Sequence, residues 1–155
     1  MNKRFKSYVE LLEPLFQQLM RTPAARVASL PADMPRAGVY LFSEGSRHLY
    51  VGRTNRMRAR LQEHCRAGST HNSAPFAFTL AREATGRSAA TYAAEGSRQS
   101  LERDPEFRTA FERAKARVRR MDIRFVQEGD PTRQALLELY AAIALGTRYN
   151  DFDTH

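Results

Sequence analysis

The chain has 155 residues, enough for one domain with a hydrophobic core of its own. Its 25 Lys and Arg residues outnumber 17 Asp and Glu residues, and the formal net charge of +8 favours a polyanionic partner, nucleic acid first. The lone Cys65 excludes a disulfide framework and a multi-cysteine zinc site. The charged N-terminus and short apolar runs predict no signal peptide, no membrane partner and a cytoplasmic location.

Residues 1–36 predict a helical extension followed by a linker. Apolar side chains recur at helical spacing through the first 19 residues, and Pro14 is expected to kink or restart this helix. Three prolines between residues 22 and 36 indicate the linker. The apolar stripe is expected to pack on the following domain or to form a contact in a homodimer. It comprises Phe5, Val9, Leu12, Leu15, Phe16 and Leu19.

Two short alternating runs, 37–42 and 47–52, predict an antiparallel hairpin around a turn at Ser43–Ser46. The pairing that buries the aliphatic residues on one face sets Tyr40 directly opposite Tyr50 on the other face. The aliphatic set comprises Val39, Leu41, Leu49 and Val51. Ordinary cross-strand packing is the commoner role of such a tyrosine pair.

A helix is predicted after the hairpin, with Thr54 or Asn55 as its N-cap and Gly68 at its end. Arg60 and His64 are one turn apart and share a stripe of this helix. Alone, each is more often a surface or core residue. Beside the two tyrosines, both become candidates for one site.

The middle of the chain predicts a short helix at 73–84, a loop at 86–97 and a basic helix at 105–120. Residues 121–127 alternate and predict a third strand. The basic helix is interpreted either as a solvated face or as a surface that tracks phosphates. Its cations are Arg108, Arg113, Lys115, Arg117, Arg119 and Arg120.

Residues 131–145 predict a helix that is apolar on almost every side and therefore largely buried. Glu138 is its only carboxylate, and no Lys or Arg lies three or four residues away. Because a buried carboxylate without a partner is costly, Glu138 is expected to reach solvent or to coordinate a cation.

These motifs together resemble the GIY-YIG nuclease family. The resemblance rests on Gly38-Val39-Tyr40, on Tyr50-Val51-Gly52, and on Arg60 and His64 in that order and spacing, with valine in place of isoleucine in both tripeptides. It is dense from residue 38 to residue 71 and resumes near the C-terminus. The resemblance implies an α+β fold, a small three-stranded antiparallel sheet flanked by helices. The nuclease domain would span 37–155, with a helical insertion at 81–120 before the third strand.

The resemblance also implies a metal-dependent DNA endonuclease. Glu138 would bind one Mg²⁺ or Mn²⁺, and Arg60 would grip the scissile phosphate. Tyr40 is the preferred general base, helped by Tyr50 or His64, and His64 as the base is the alternative. The expected substrate contacts are Arg53, Arg56, His71 and Asn150. A turn is an equal alternative for Asn150, and a helix cap is one for His71.

Two other classes of function stay open at this point. One is a non-catalytic nucleic-acid-binding module on the same fold. The other is a protein-interaction domain whose basic face meets an acidic partner. Specificity for a sequence or a DNA structure would come from the 81–120 insertion, from dimerisation or from a partner.

Overall fold

The structure, a computed structural model, describes residues 1–87 and 97–152. Its centre is a three-stranded antiparallel sheet of β1 (Gly38–Glu44), β2 (Arg47–Thr54) and β3 (Asp122–Gln127). The strand order is β2-β1-β3, so β1 is central. Helices flank the sheet, and the predicted α+β class is confirmed.

The helices match the periodicity of the sequence closely. The predicted helices at 73–84, 105–120 and 131–145 are observed with bounds that differ by two residues or fewer. One short helix was not predicted, and most of the predicted loop at 86–97 lies outside the described residues. No helix in the described ranges is long and apolar enough to cross a membrane. The described helices are α1 (Lys3–Val9), α2 (Leu12–Arg21), α3 (Met57–Glu63), α4 (Pro75–Ala84), α5 (Arg98–Arg103), α6 (Pro105–Arg119) and α7 (Pro131–Leu145), with a 3₁₀ turn at Val27–Ser29.

The chain forms two compact units. The first unit comprises Met1–Arg58 with Met121–His155, and the second comprises Ala59–Arg120. The sheet, α1, α2 and α7 belong to the first unit, while α4, α5 and α6 belong to the second. The second unit has twelve basic and seven acidic residues in its sequence, and therefore carries most of the positive excess.

The N-terminal extension is part of the first unit. As expected, the helix restarts near Pro14, because a proline there has no N–H to continue the ladder from α1 into α2. Leu12 and Leu19 of α2 enter a core with α7 and with one face of the sheet. That face contributes Val39, Leu41, Val51 and Val126.

The hairpin pairs differently from the prediction. A two-residue turn, Gly45-Ser46, closes it, and Tyr40 lies opposite Gly52 rather than opposite Tyr50. The strands extend into the predicted turn, and an irregularity beside Phe42 leaves one extra residue in β2. From Gly38 to Phe42 the shift is two residues, an even number, so these side chains and their partners in β2 keep their predicted faces.

Gly38 allows β1 to approach β3 closely. A Cβ atom on this residue would lie 1.9 Å from the carbonyl oxygen of Val126, which is backbone and cannot rotate away. Every other residue type would therefore push the central strand off its neighbour.

We expect Gly38→Ala to lower the free energy of unfolding by about 2–3 kcal/mol or more, since overpacking against backbone forces the strands apart. Gly129→Ala is the matched control, because a Cβ atom at that position meets nothing within 4 Å. Urea titration of both variants checks this. Equal stability of the two would contradict the close approach described here.

Candidate active site

Tyr40 lies in a position that only glycine at residue 52 permits. A Cβ atom on Gly52 would be 2.2 Å from the Tyr40 hydroxyl oxygen. Tyr40 is only 1% exposed and packs edge-to-face on Phe42 with 5.7 Å between ring centroids, so its ring has no room to move aside. The Tyr40 hydroxyl is thus held over β2, an edge strand of the sheet among the described residues.

Tyr50 shares the sheet face of Tyr40 but lies opposite Phe42. The two tyrosines are therefore diagonal neighbours, and the predicted direct pair is wrong. Tyr50 is half-buried, whereas Tyr40 is fully buried. Of the two, Tyr50 is the more accessible to solvent.

Glu138 has a basic partner that sequence spacing did not reveal. The Nε atom of Arg53 donates to Glu138 Oε2 at 3.0 Å. Arg53 follows Gly52 in β2, so the two residues face opposite sides of the sheet. The Arg53 side chain points to the face that packs against α7, and it therefore reaches Glu138. Burial raises the pKa of Glu138, and the positive charge of Arg53 opposes that rise. The expectation that Glu138 lacks a basic partner is therefore wrong.

The donors near Glu138 suit one kind of cation site. Within residues 1–87 and 97–152, no group of three or more His, Cys, Asp or Glu side chains converges on a point. A single carboxylate with waters in the remaining positions is a pattern that Mg²⁺ accepts and Zn²⁺ does not. Any cation here would have one described carboxylate, Glu138, and Arg53 is already bonded to one of its oxygens.

Asn150 is bound to the sheet. Its Oδ1 accepts from the Val51 N–H and its Nδ2 donates to the Val51 carbonyl, both at 2.8 Å. The Thr147 hydroxyl also donates to Oδ1 at 2.7 Å. The amide thus satisfies the open edge of β2 as another strand would, which gives Asn150 a structural role. Arg56, by contrast, is exposed.

Arg60 belongs to the second unit, where two groups orient it. Its Nη1 donates to the Ser73 carbonyl at 2.9 Å and to Glu63 Oε2 at 3.2 Å. The Arg60 side chain is 19% exposed. A guanidinium held in this way has lost most of its rotational freedom before any ligand arrives, while part of its surface stays accessible.

His64 follows α3 in a turn, one residue beyond the end of the helix. The predicted helical position is wrong because the chain tightens: the Cys65 N–H bonds the Gln62 carbonyl three residues back. His64 N–H still bonds the Arg60 carbonyl at 3.2 Å. Complete burial, with a smaller contribution from the Arg60 charge, lowers the pKa of His64 to about 3. The imidazole is therefore neutral at physiological pH.

His71 is engaged by a residue that sequence reasoning missed. Glu102 Oε1 accepts from the His71 N–H at 2.6 Å and lies 2.9 Å from its Nδ1. Glu102 is 31 residues away on α5, so no local pattern announces the pair. Glu63, in contrast, lies three residues after Arg60 and was readable as a helical ion pair.

Lys115 is the exception in the basic helix. It is buried, and its Nζ donates to the carbonyls of Ala67 at 2.6 Å and Ser69 at 3.0 Å. It also pairs with Glu112. Lys115 thus holds the loop after His64, whereas Arg108, Arg113, Arg119 and Arg120 are exposed.

The structure groups the predicted residues by unit. Tyr40, Tyr50, Arg53 and Glu138 surround one segment of β2 in the first unit, and Arg56 and Asn150 belong to that unit as well. Arg60, His64 and His71 belong to the second unit. Comparison of the chain with protein-family models, with curated proteins and with solved structures returned no match.

We expect acid to destabilise the wild-type protein more than His64→Gln. Between pH 6.5 and 3 the unfolded chain binds a proton at residue 64 that the folded chain does not, so wild-type stability falls as the pH drops. The slope from this residue is about 1.4 kcal/mol per pH unit, and the variant lacks it.

Urea titrations of both proteins from pH 8 to pH 5 measure the effect. The difference at pH 8 gives the packing cost of glutamine, and titration of every other group cancels in the comparison. A difference that stays constant from pH 8 to pH 5 would show that His64 is not buried as a neutral imidazole.

Asn150→Asp tests the structural role of residue 150. Aspartate can accept from the Val51 N–H but cannot donate to the Val51 carbonyl, so we expect a loss of about 1–3 kcal/mol in unfolding free energy. Urea titration of both proteins measures this loss. Unchanged stability would contradict the structural role of Asn150.

Proposed function

We propose that this chain is a metal-dependent DNA endonuclease that hydrolyses phosphodiester bonds. One observation carries the proposal. Gly52 and Arg53 are adjacent residues of an edge strand. The missing side chain of Gly52 leaves space for the Tyr40 hydroxyl, and the Arg53 side chain donates a hydrogen bond to Glu138. Tyr40 and Arg53 lie on opposite faces of the sheet, and a ligand at the end of β2 beyond the Asn150–Val51 contact can be approached from both faces. A hydroxyl, a guanidinium and a carboxylate at one edge suit the handling of a phosphodiester.

Tyr40 is the preferred general base in this proposal. Its ring is fixed by Gly52 and Phe42, so its hydroxyl needs no reorganisation before reaction. An ordinary tyrosine has a pKa of about 10, and a base of this type becomes more effective as the pH rises. His64 is the weaker candidate, because burial lowers its pKa to about 3 and a group of that pKa is a poor proton acceptor near neutrality.

Glu138 would hold the Mg²⁺ or Mn²⁺ ion. Such a cation, when bound, supplies charge stabilisation for the phosphate and the leaving oxygen. Arg53 contacts the same carboxylate, and a cation bound at Oε2 would displace it from that oxygen. The Arg53 guanidinium would then be released beside the substrate, where a phosphate oxygen is its natural new partner.

Arg60 is assigned the scissile phosphate by the family resemblance. Its orientation by Glu63 and Ser73 supports a role that needs a fixed guanidinium, because a pre-ordered group loses less entropy on binding. The exposed arginines of α6 would add sequence-independent contacts to the DNA backbone.

A non-catalytic nucleic-acid-binding module is the second candidate. The Arg53–Glu138 pair favours it, because a carboxylate that already has a cationic partner has less need of a metal. In that case Glu138 orients Arg53 for a phosphate, and no metal binds.

The decisive experiment incubates the protein with supercoiled plasmid and with single-stranded DNA in Mg²⁺, Mn²⁺ or EDTA. We expect metal-dependent cleavage that falls at least about 100-fold in Glu138→Gln, as on loss of a group that stabilises the transition state. Glu10→Gln is the matched control: it removes the same charge from an exposed carboxylate just after α1, which pairs with Lys6. Circular dichroism confirms folding of each variant.

Binding of Mn²⁺ without DNA separates the two candidates, with free Mn²⁺ followed by electron paramagnetic resonance. If the chain is a nuclease of the proposed kind, the wild type binds Mn²⁺ through Glu138. Arg53→Gln should then bind Mn²⁺ more tightly than the wild type, and Glu138→Gln should not bind it. If the wild type binds DNA in a salt-sensitive way but neither binds Mn²⁺ nor cleaves DNA, the non-catalytic binding module is the candidate that remains.

A further inference from the structure

We propose that the groove between α4 and α6 binds the sugar–phosphate backbone of the DNA substrate. This inference rests on the proposed function and extends it to a second contact with the same substrate. The groove lies wholly within the second unit and includes no residue for which the resemblance implies a role.

The groove is large enough for a ligand and is shaped by small residues. Its volume is about 470 Å³, within the range of ordinary ligand sites. Alanines at positions 84, 110 and 114 keep the floor low, with Leu80 beside them. This aliphatic floor offers contact to the apolar side of a deoxyribose.

A rigid core lies next to the groove. Phe78 of α4 contacts Phe107 and Phe111 of α6, with ring centroids 4.9 and 5.4 Å apart. Lys115 ties the same helix to the loop at Ala67 and Ser69. Because α4 and α6 are fixed against each other, the groove exists before any ligand binds.

The charges on the groove favour an anion at one end. Arg113 and Arg117 line it one helical turn apart on α6. Glu106 lies in the first turn of α6, seven residues before Arg113 and therefore about 10 Å away along the axis. An anionic strand would thus occupy the half that contains the arginines.

The lining chemistry points to the backbone of the nucleic acid rather than to its bases. None of the described residues that line the groove is aromatic, so none of them offers a ring on which a base could stack. Arginines provide forked donors that suit phosphate oxygens. Contacts of this kind raise affinity without reading sequence.

The test compares two pairs of charge removals on the same helix. Arg113→Gln with Arg117→Gln changes the groove. The matched control is Arg108→Gln with Arg119→Gln, which removes two exposed charges of α6 that do not line it. A third variant, Ala84→Leu with Ala110→Leu, fills the groove without changing charge. Affinity for two duplexes of unrelated sequence is measured in EDTA across a salt series.

We expect the groove pair to weaken both duplexes equally, by at least about tenfold, and to reduce the slope of log affinity against log salt by about 2. The filled variant is expected to bind several-fold more weakly with an unchanged slope. The control pair is expected to lose clearly less.

Equal losses from the groove and control pairs, or wild-type affinity in the filled variant, would each overturn the groove assignment. These outcomes leave wild-type cleavage intact, so they are distinct from failure of the nuclease proposal. A wild type that neither binds nor cuts DNA would overturn both. Stronger competition by polyglutamate than by DNA would assign the groove to an acidic protein and reject the backbone.

Discussion

The absence of a side chain at residue 52 is the constraint on which the candidate site depends. Only there can the Tyr40 ring cross from the central strand to lie over β2, and the same ring packs edge-on against Phe42. Gly38 imposes a matching condition on the other side of β1, where the backbone approaches Val126. The glycines of the two tripeptides therefore have the same structural role. Each lets a neighbouring group, the Val126 carbonyl at Gly38 or the Tyr40 ring at Gly52, come closer than a Cβ atom would allow.

The edge strand β2 is fixed by long-range polar contacts. Asn150 bonds both main-chain polar groups of Val51, and Arg53 bonds Glu138 of α7. Gln134, also on α7, reaches Asn55 at 2.9 Å, just after the strand ends. These contacts stabilise an edge that would otherwise present unpaired backbone groups. They also fix β2 against α7, so that Arg53 stays beside Glu138.

The sequence predicted features that periodicity or local chemistry controls. The hairpin faces, the third strand and the helix that carries Glu138 followed from the spacing of apolar residues, because that spacing reflects burial. The predicted pairing of β1 with β2 is wrong, because an extra residue in β2 leaves no signal in an alternating pattern. The Arg53–Glu138 and His71–Glu102 pairs span 85 and 31 residues, and only the fold brings them together. Lys115 was grouped with the other cations of the basic helix, although it is buried. Its burial depends on hydrogen bonds to two main-chain carbonyls that no sequence pattern reveals.

The second unit shows how a modest charge excess becomes a local one. Its acidic residues are largely engaged with particular bases: Glu63 with Arg60, and Glu102 with His71. Asp104 and Glu112 pair in the same way with Arg87 and Lys115. Because these internal pairs absorb negative charge, the positive excess falls on the exposed arginines of α6. The unit as a whole keeps its positive excess, and the exposed arginines of α6 place part of that excess at the surface.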